Sequence, residues 1–139
     1  MKVRHHYYLR RFMTIHSNID FTDKSALQAL IVTLLEEAKA LDIYIHHFSH
    51  GNDIAESAIL CSARSSRHTH AIAHQLEKGL RRYGLRHAKI QGDVQGEWLV
   101  MDLGGIVMHI MQPQVRSYYQ LETLWTHPSI AATSNDKRV

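Results

Sequence analysis

Between Asp23 and Asp42, Leu27, Leu30, Ile31, Leu34, Leu35, Ala38 and Leu41 recur three and four positions apart, the spacing of one helical face. Glu36 and Glu37 fall outside that stripe, and Asp23 stands where a carboxylate can accept from the free amides of a first turn. This predicts an amphipathic helix packed on a sheet. Residues 42–48 (DIYIHHF) have the size and β-branched content of a strand. A polar loop follows, and then the short apolar run 58–63 (AILCSA), which reads as a buried strand. A second helix is expected from the caps Ser65 and Ser66 to Gly84, with Ala73, Leu76, Leu80 and Tyr83 facing inward. Residues 86–92 (RHAKIQG) make a plausible third strand. Pro113 interrupts the next ladder, residues 116–125 (RSYYQLETLW) suggest one last short helix, and the chain ends in what reads as a frayed tail. The predicted class is a single α/β (α+β) domain with a mixed, roughly five-stranded sheet and flanking helices.

Residues 97–111 (EWLVMDLGGIVMHIM) read as two strands joined at Gly104-Gly105. A two-residue primed turn, which needs positive φ, pairs Leu103 with Ile106, Met101 with Met108 and Leu99 with Ile110. Opposed residues share a face, so that face is aliphatic core. The alternate pairs are Asp102 with Val107, Val100 with His109 and Trp98 with Met111, and His109 lies diagonal to Asp102. Two readings of this mixed face compete. In one, a helix covers it and an Asp102–His109 contact satisfies buried polar groups. In the other it is a docking surface, since Trp and Met are enriched at protein interfaces.

Charge refines the picture. Lys and Arg number 16 against 13 acids, giving +3. Residues 1–22 carry Lys2, Arg4, Arg10 and Arg11 against Asp20, so the remainder is neutral overall, and a general phosphate-binding surface is not expected. The basic arm 1–22 reads as a disordered extension, or as an artefact of an upstream start with Met13 the true initiator, and it faintly resembles an organelle transit peptide. No apolar run approaches the length of a membrane span, and the single Cys61 rules out an intrachain disulfide. The domain proper is then residues 23–126, with 127–139 as tail.

Several chemistries can be weighed directly. Nucleotidyl transfer needs clustered carboxylates to hold divalent metal, and Asp102 stands alone on its strand. His70 and His74 lie one turn apart and could share an ion with His46, His47 or His50, but twelve histidines show no standard metal spacing. Cys61 with His68 is imaginable as nucleophile and base, although a cysteine in an apolar strand usually packs as a small hydrophobe. Neither an enzyme nor a cofactor is expected.

Residues 65–73 (SSRHTHAIA), 97–112 (EWLVMDLGGIVMHIMQ) and 116–125 (RSYYQLETLW) together resemble the ribosomal silencing factor family (RsfS, or Iojap-like). The combination W-x-x-x-D-x-G, H-x-M and R-x-Y-Y-x-L-E-x-L-W, in that order, is specific. The resemblance implies a nucleotidyltransferase-like fold without catalytic residues, and a factor that binds universal large-subunit ribosomal protein fourteen on the intersubunit face. There it blocks joining of the small subunit and represses translation under nutrient stress. It also implies a bacterial cytoplasmic (less readily an organellar) protein, able to form homodimers and needing no direct nucleic-acid or membrane contact. The rival reading is a metal-dependent or nucleotide-binding protein of the same fold.

Carried onto this chain, the resemblance makes Trp98 the anchor of the contact, with Asp102, His109, Met111, Gln91 and Val100 around it. Ser65, Ser66, Arg67 and His68 match a structural motif at the second helix. Arg116, Tyr118, Tyr119, Leu121 and Trp125 match the terminal motif and are expected mainly to pack the last helix on the sheet edge. There are departures: Gln91 and Gly105 stand where the family usually has acids, and Glu56-Ser57 where it has an acidic-aromatic pair. Lost acids weaken steering toward a basic partner and lower the association rate.

Overall fold

The computed structural model describes residues 19–49 and 55–126. The chain runs α1 (Lys24–Glu37), β1 (Leu41–His47), β2 (Ser57–Ser62), α2 (Ser66–Arg82), β3 (Lys89–Gly92), β4 (Trp98–Asp102), β5 (Ile106–Met111), α3 (Pro113–Tyr119) and α4 (Leu121–Thr126). The strands form one mixed sheet in the order β1-β2-β5-β4-β3. Only β2 and β5 pair in parallel; the other pairs are antiparallel. The expected α+β architecture is therefore present.

Both long helices begin as their caps dictate. The Asp23 carboxylate accepts from the amides of Ser25 and Ala26, and Ser65 Oγ accepts from His68 N, each satisfying donors that a first turn leaves free. At the end of α2, Gly84 takes φ +106. Its amide donates to Arg81 O, and Leu85 N donates to Leu80 O, the paired bonds of a Schellman stop.

Leu27, Leu30, Ile31 and Leu35 of α1 and Ile72, Leu76 and Leu80 of α2 are fully buried against one face of the sheet. That face supplies Ile59, Cys61, Leu99, Met101, Ile106, Met108 and Ile110. The hairpin has the register expected from its turn: Trp98 opposite Met111, Leu99 opposite Ile110, Val100 opposite His109, Met101 opposite Met108 and Asp102 opposite Val107. Gly104 and Gly105 adopt φ +73 and +81, the doubly positive pair a type I′ turn requires. Lys24 Nζ donates to Gly104 O at 2.8 Å and so pins this turn to the start of α1.

Several boundaries differ from expectation: the first helix ends at Glu37, so that Leu41, read as part of its stripe, opens β1 instead. Strand β3 spans only Lys89–Gly92, so residues 86–88 are connector. Pro113 does more than interrupt: it opens α3, where its fixed φ suits a first turn and its missing N–H costs nothing. The terminal helix is two helices, broken at Gln120, which adopts a left-handed φ of +49. His50 and the tail 127–139 fall outside the described residues, as does most of the basic arm.

Candidate functional site

The far face of the sheet, opposite α1 and α2, carries the mixed side of the hairpin. Period-two alternation in β1 also puts Tyr44 and His46 there, with Phe48 just beyond the strand. The terminal helices lie over part of this face, and one residue ties them down. Arg116 Nη1 donates to Asp42 O at 2.7 Å and to Ser62 Oγ at 2.9 Å, and its Nη2 donates to the Glu122 carboxylate. A single guanidinium thus joins α3 to two strands and to α4.

The result is a row of rings running across the sheet. Phe48 and His46 lie 4.8 Å apart, centroid to centroid. Trp125 of α4 sits 5.6 Å from each of them and 5.8 Å from His109. His109 is 5.9 Å from Trp98, Trp98 is 4.9 Å from Tyr119, and Tyr119 is 5.0 Å from Tyr118. The row begins half-buried at Phe48 and ends in the open, where Tyr118 is 80% and Tyr119 52% exposed. Offset and edge-on ring pairs at such separations add to the stabilisation from burial alone.

Within the row, Trp98 Nε1 donates to His109 Nδ1 at 3.1 Å. His109 Nδ1 must then be unprotonated, and the proton of the neutral ring sits on Nε2. Burial pushes the His109 pKa down to about 4, because a low-dielectric site disfavours the charged form. His46 is lowered as well, first by burial and second by the neighbouring His47.

The expected Asp102–His109 contact does not form. Asp102 is exposed and its Oδ1 accepts from Gly104 N at 3.1 Å, because an aspartate two residues before a turn finds a backbone donor nearer than a diagonal ring. Met111 is 1% exposed, so it lies beneath the surface. Trp98, Val100 and His109 are half-buried, and Gln91 is exposed on β3. Of the terminal motif, Arg116 and Trp125 engage the sheet, Leu121 is half-buried, and Tyr118 points into solvent, because helix α3 presents that side outward. Phe48 was missed by the sequence reading, and His46 was weighed there only as a metal ligand. Their alternation with Tyr44 was the available signal, but only the fold brings them to Trp125.

At the second helix, Ser65 caps and Arg67 is exposed, with Ser66 half-buried. His68 Nδ1 accepts from Arg64 N, so its Nε2 donates to Ala38 O at 3.0 Å and joins the end of α1 to the start of α2. His70 Nε2 donates to Val94 O at 3.0 Å, which leaves only Nδ1 for an ion shared with exposed His74. Among the described residues no group of three or more His, Cys, Asp or Glu could hold a metal ion. Cys61 is buried in the core, and burial pushes its thiol up to about 12, with Arg116 pulling weakly the other way. No helix among the described residues is long and apolar enough to cross a membrane.

Comparison with known proteins places this geometry. The family model described as "Ribosomal silencing factor during starvation" matches residues 22–138. This chain belongs to the ribosomal silencing factor family. Ribosomal silencing factor RsfS of Halalkalibacterium halodurans is 31% identical over 71% of this chain and 85% of its own length. That of Zymomonas mobilis is 32% identical over 74% and 77%. A mouse relative, mitochondrial assembly of ribosomal large subunit protein 1, is 34% identical over 70% of this chain but only 44% of its own length. The crystal structure of a Chromobacterium violaceum protein superposes with a TM-score of 0.68 at 30% identity, covering 73% of this chain and 84% of that one. One from Bacillus halodurans gives 0.62 at 30%, covering 74% and 95%. The family takes its name from silencing, not from catalysis.

Proposed function

We propose that this protein docks on the large ribosomal subunit through the open end of the aromatic row and thereby keeps the small subunit from joining. The partner is universal large-subunit ribosomal protein fourteen, and the effect is repression of translation when nutrients are short. The observation that carries this reading is Trp98. Its N–H is spent on His109 and its ring is held between His109 and Tyr119, so a rigid aromatic surface is prepared before any partner arrives. Preorganised aromatic anchors bind with little further loss of side-chain entropy.

Around Trp98, half-buried Val100 and exposed Gln91, Asp102 and Tyr119 offer the mixed rim such a contact needs. His109 and Met111 support the anchor from below. Membership of a family named for ribosomal silencing supports the reading further, as does the large-subunit assembly role in the name of the mouse relative.

The test is Trp98→Ala. The variant keeps the fold, judged by circular dichroism, but no longer co-sediments with large subunits and no longer suppresses formation of joined ribosomes in sucrose gradients. Undiminished co-sedimentation would refute the role given to Trp98.

A further inference from the structure

The neutral sum beyond residue 22 hides a strong separation of charge. Residues 64–89 carry seven Lys and Arg against Glu77 alone, while the other described residues carry three, Lys24, Lys39 and Arg116, against ten acids. Helix α2 organises these cations. Its buried positions, Thr69, Ile72, Ala73, Leu76 and Leu80, face the sheet. Arg67, Lys78, Arg81 and Arg82 are exposed on the opposite side, with exposed His74 between the first two, so the charged groups lie along one line and gather toward the end of the helix. Arg64 precedes the stripe and Arg86 follows it, both exposed. From Arg67 to Arg82 the line is about 22 Å long at 1.5 Å per residue. Glu77 pairs with Arg81 at 3.5 Å; among the described residues no other carboxylate pairs with the stripe.

We infer that the outer face of α2 binds the phosphate backbone of double-stranded RNA, on the side of the molecule opposite the aromatic row. The choice of RNA over other polyanions rests on the ribosomal reading above; the charge separation does not. Cations set along one line of about this length match a linear polyanion and gain affinity by displacing condensed counterions. An anionic bilayer is a poorer match, because a helix lying in a membrane surface offers an apolar face to the lipid. Here that face is buried in the core, and between the cations the stripe carries only Ala71 and Gln75. An acidic protein patch would ask for a compact cluster, not an extended line.

The inference gives the protein two independent sides. One recognises a protein through preorganised rings; the other tracks RNA by charge, without base readout. Binding on this second side depends strongly on salt and little on sequence.

The experiment measures fluorescence anisotropy of a short labelled RNA duplex against the full chain across a salt series. Replacing Lys78, Arg82 and Arg86 together by Gln weakens binding about tenfold or more. It also flattens the slope of log affinity against log salt by about two to three, as expected for three lost phosphate contacts. Exchanging the same positions for one another's charge (Lys78→Arg, Arg82→Lys, Arg86→Lys) preserves both. Trp98→Ala leaves RNA affinity unchanged, so failure of the aromatic contact and failure of the basic stripe are separable. Unaltered RNA affinity in the Gln variant would overturn the inference. So would loss of RNA binding in Trp98→Ala, or tighter capture by phosphatidylserine vesicles or polyglutamate than by RNA.

Discussion

The two faces of the β4–β5 hairpin are built from alternate residues of the same fourteen-residue segment, and they have opposite characters. On one, Leu99, Met101, Ile106, Met108 and Ile110 are sealed under α1 and α2. The two helices bring mainly leucines and isoleucines, and the buried hydroxyls of Thr33 and Thr69 are each satisfied by the carbonyl four residues back. On the other, Trp98, Val100 and His109 remain half-buried beneath two short helices held by one arginine. The aliphatic side is fixed by volume, the aromatic side by a few directional contacts. Stability is concentrated on the first and the proposed recognition on the second, a division that period-two alternation makes available to any strand pair with unequal cover.

That contrast can be broken most forcefully from the aliphatic side. Met108→Ala costs about 2–5 kcal/mol, the usual range for a fully buried large-to-small change, whereas its neighbour Val107→Ala, on the half-covered side, costs about 1 kcal/mol. Chemical denaturation of the pair measures the asymmetry, and equal losses would erase it.

Acid should act next, and from the aromatic side only. His109 binds a proton near 6.5 when unfolded but only near 4 when folded. The unfolded state therefore holds more protons throughout that window, and stability falls as pH drops through it, by about 3 kcal/mol in all. His109→Gln should flatten this part of the pH profile relative to the parent in denaturant midpoints.

Arg116→Met keeps the aliphatic stem and removes the donors to Asp42 O, Ser62 Oγ and Glu122, costing about 1–3 kcal/mol. Hydrogen exchange should accelerate across residues 113–126 while the amides of α1 and α2 stay protected. The smallest effect is expected where the two faces meet. At Gly104 a Cβ would have open space around it, so Gly104→Ala isolates the backbone cost of positive φ, about 1 kcal/mol, read as a drop in melting temperature.

Local signals carried much of this architecture. The helix caps at Asp23 and Ser65 and the register of the hairpin all follow from contacts within a few residues, where side-chain type and spacing decide the outcome. The break at Gln120 was not legible, because a left-handed glutamine is a choice made by the helix packed after it, not by the residue. Nor was the partner of His109 legible: Asp102 lay at a plausible diagonal, but the adjacent Trp98 indole and the pull of the turn on Asp102 decided the matter. His46 and Phe48 entered the aromatic row only through a helix some eighty positions later. The separation of charge was hidden for a simpler reason, since a total has no geometry, and α2 gathers on one side what the chain average cancels.

Cys61 allows the whole scaffold to be timed. Its thiol is sealed in the core and holds its proton up to about pH 12, so alkylating reagents that need a thiolate find nothing to attack while the sheet is intact. Modification then waits on openings large enough to expose the middle of β2. The rate at which a thiol reagent labels this protein in native buffer is therefore a clock for its rarest excursions, running without an introduced cysteine.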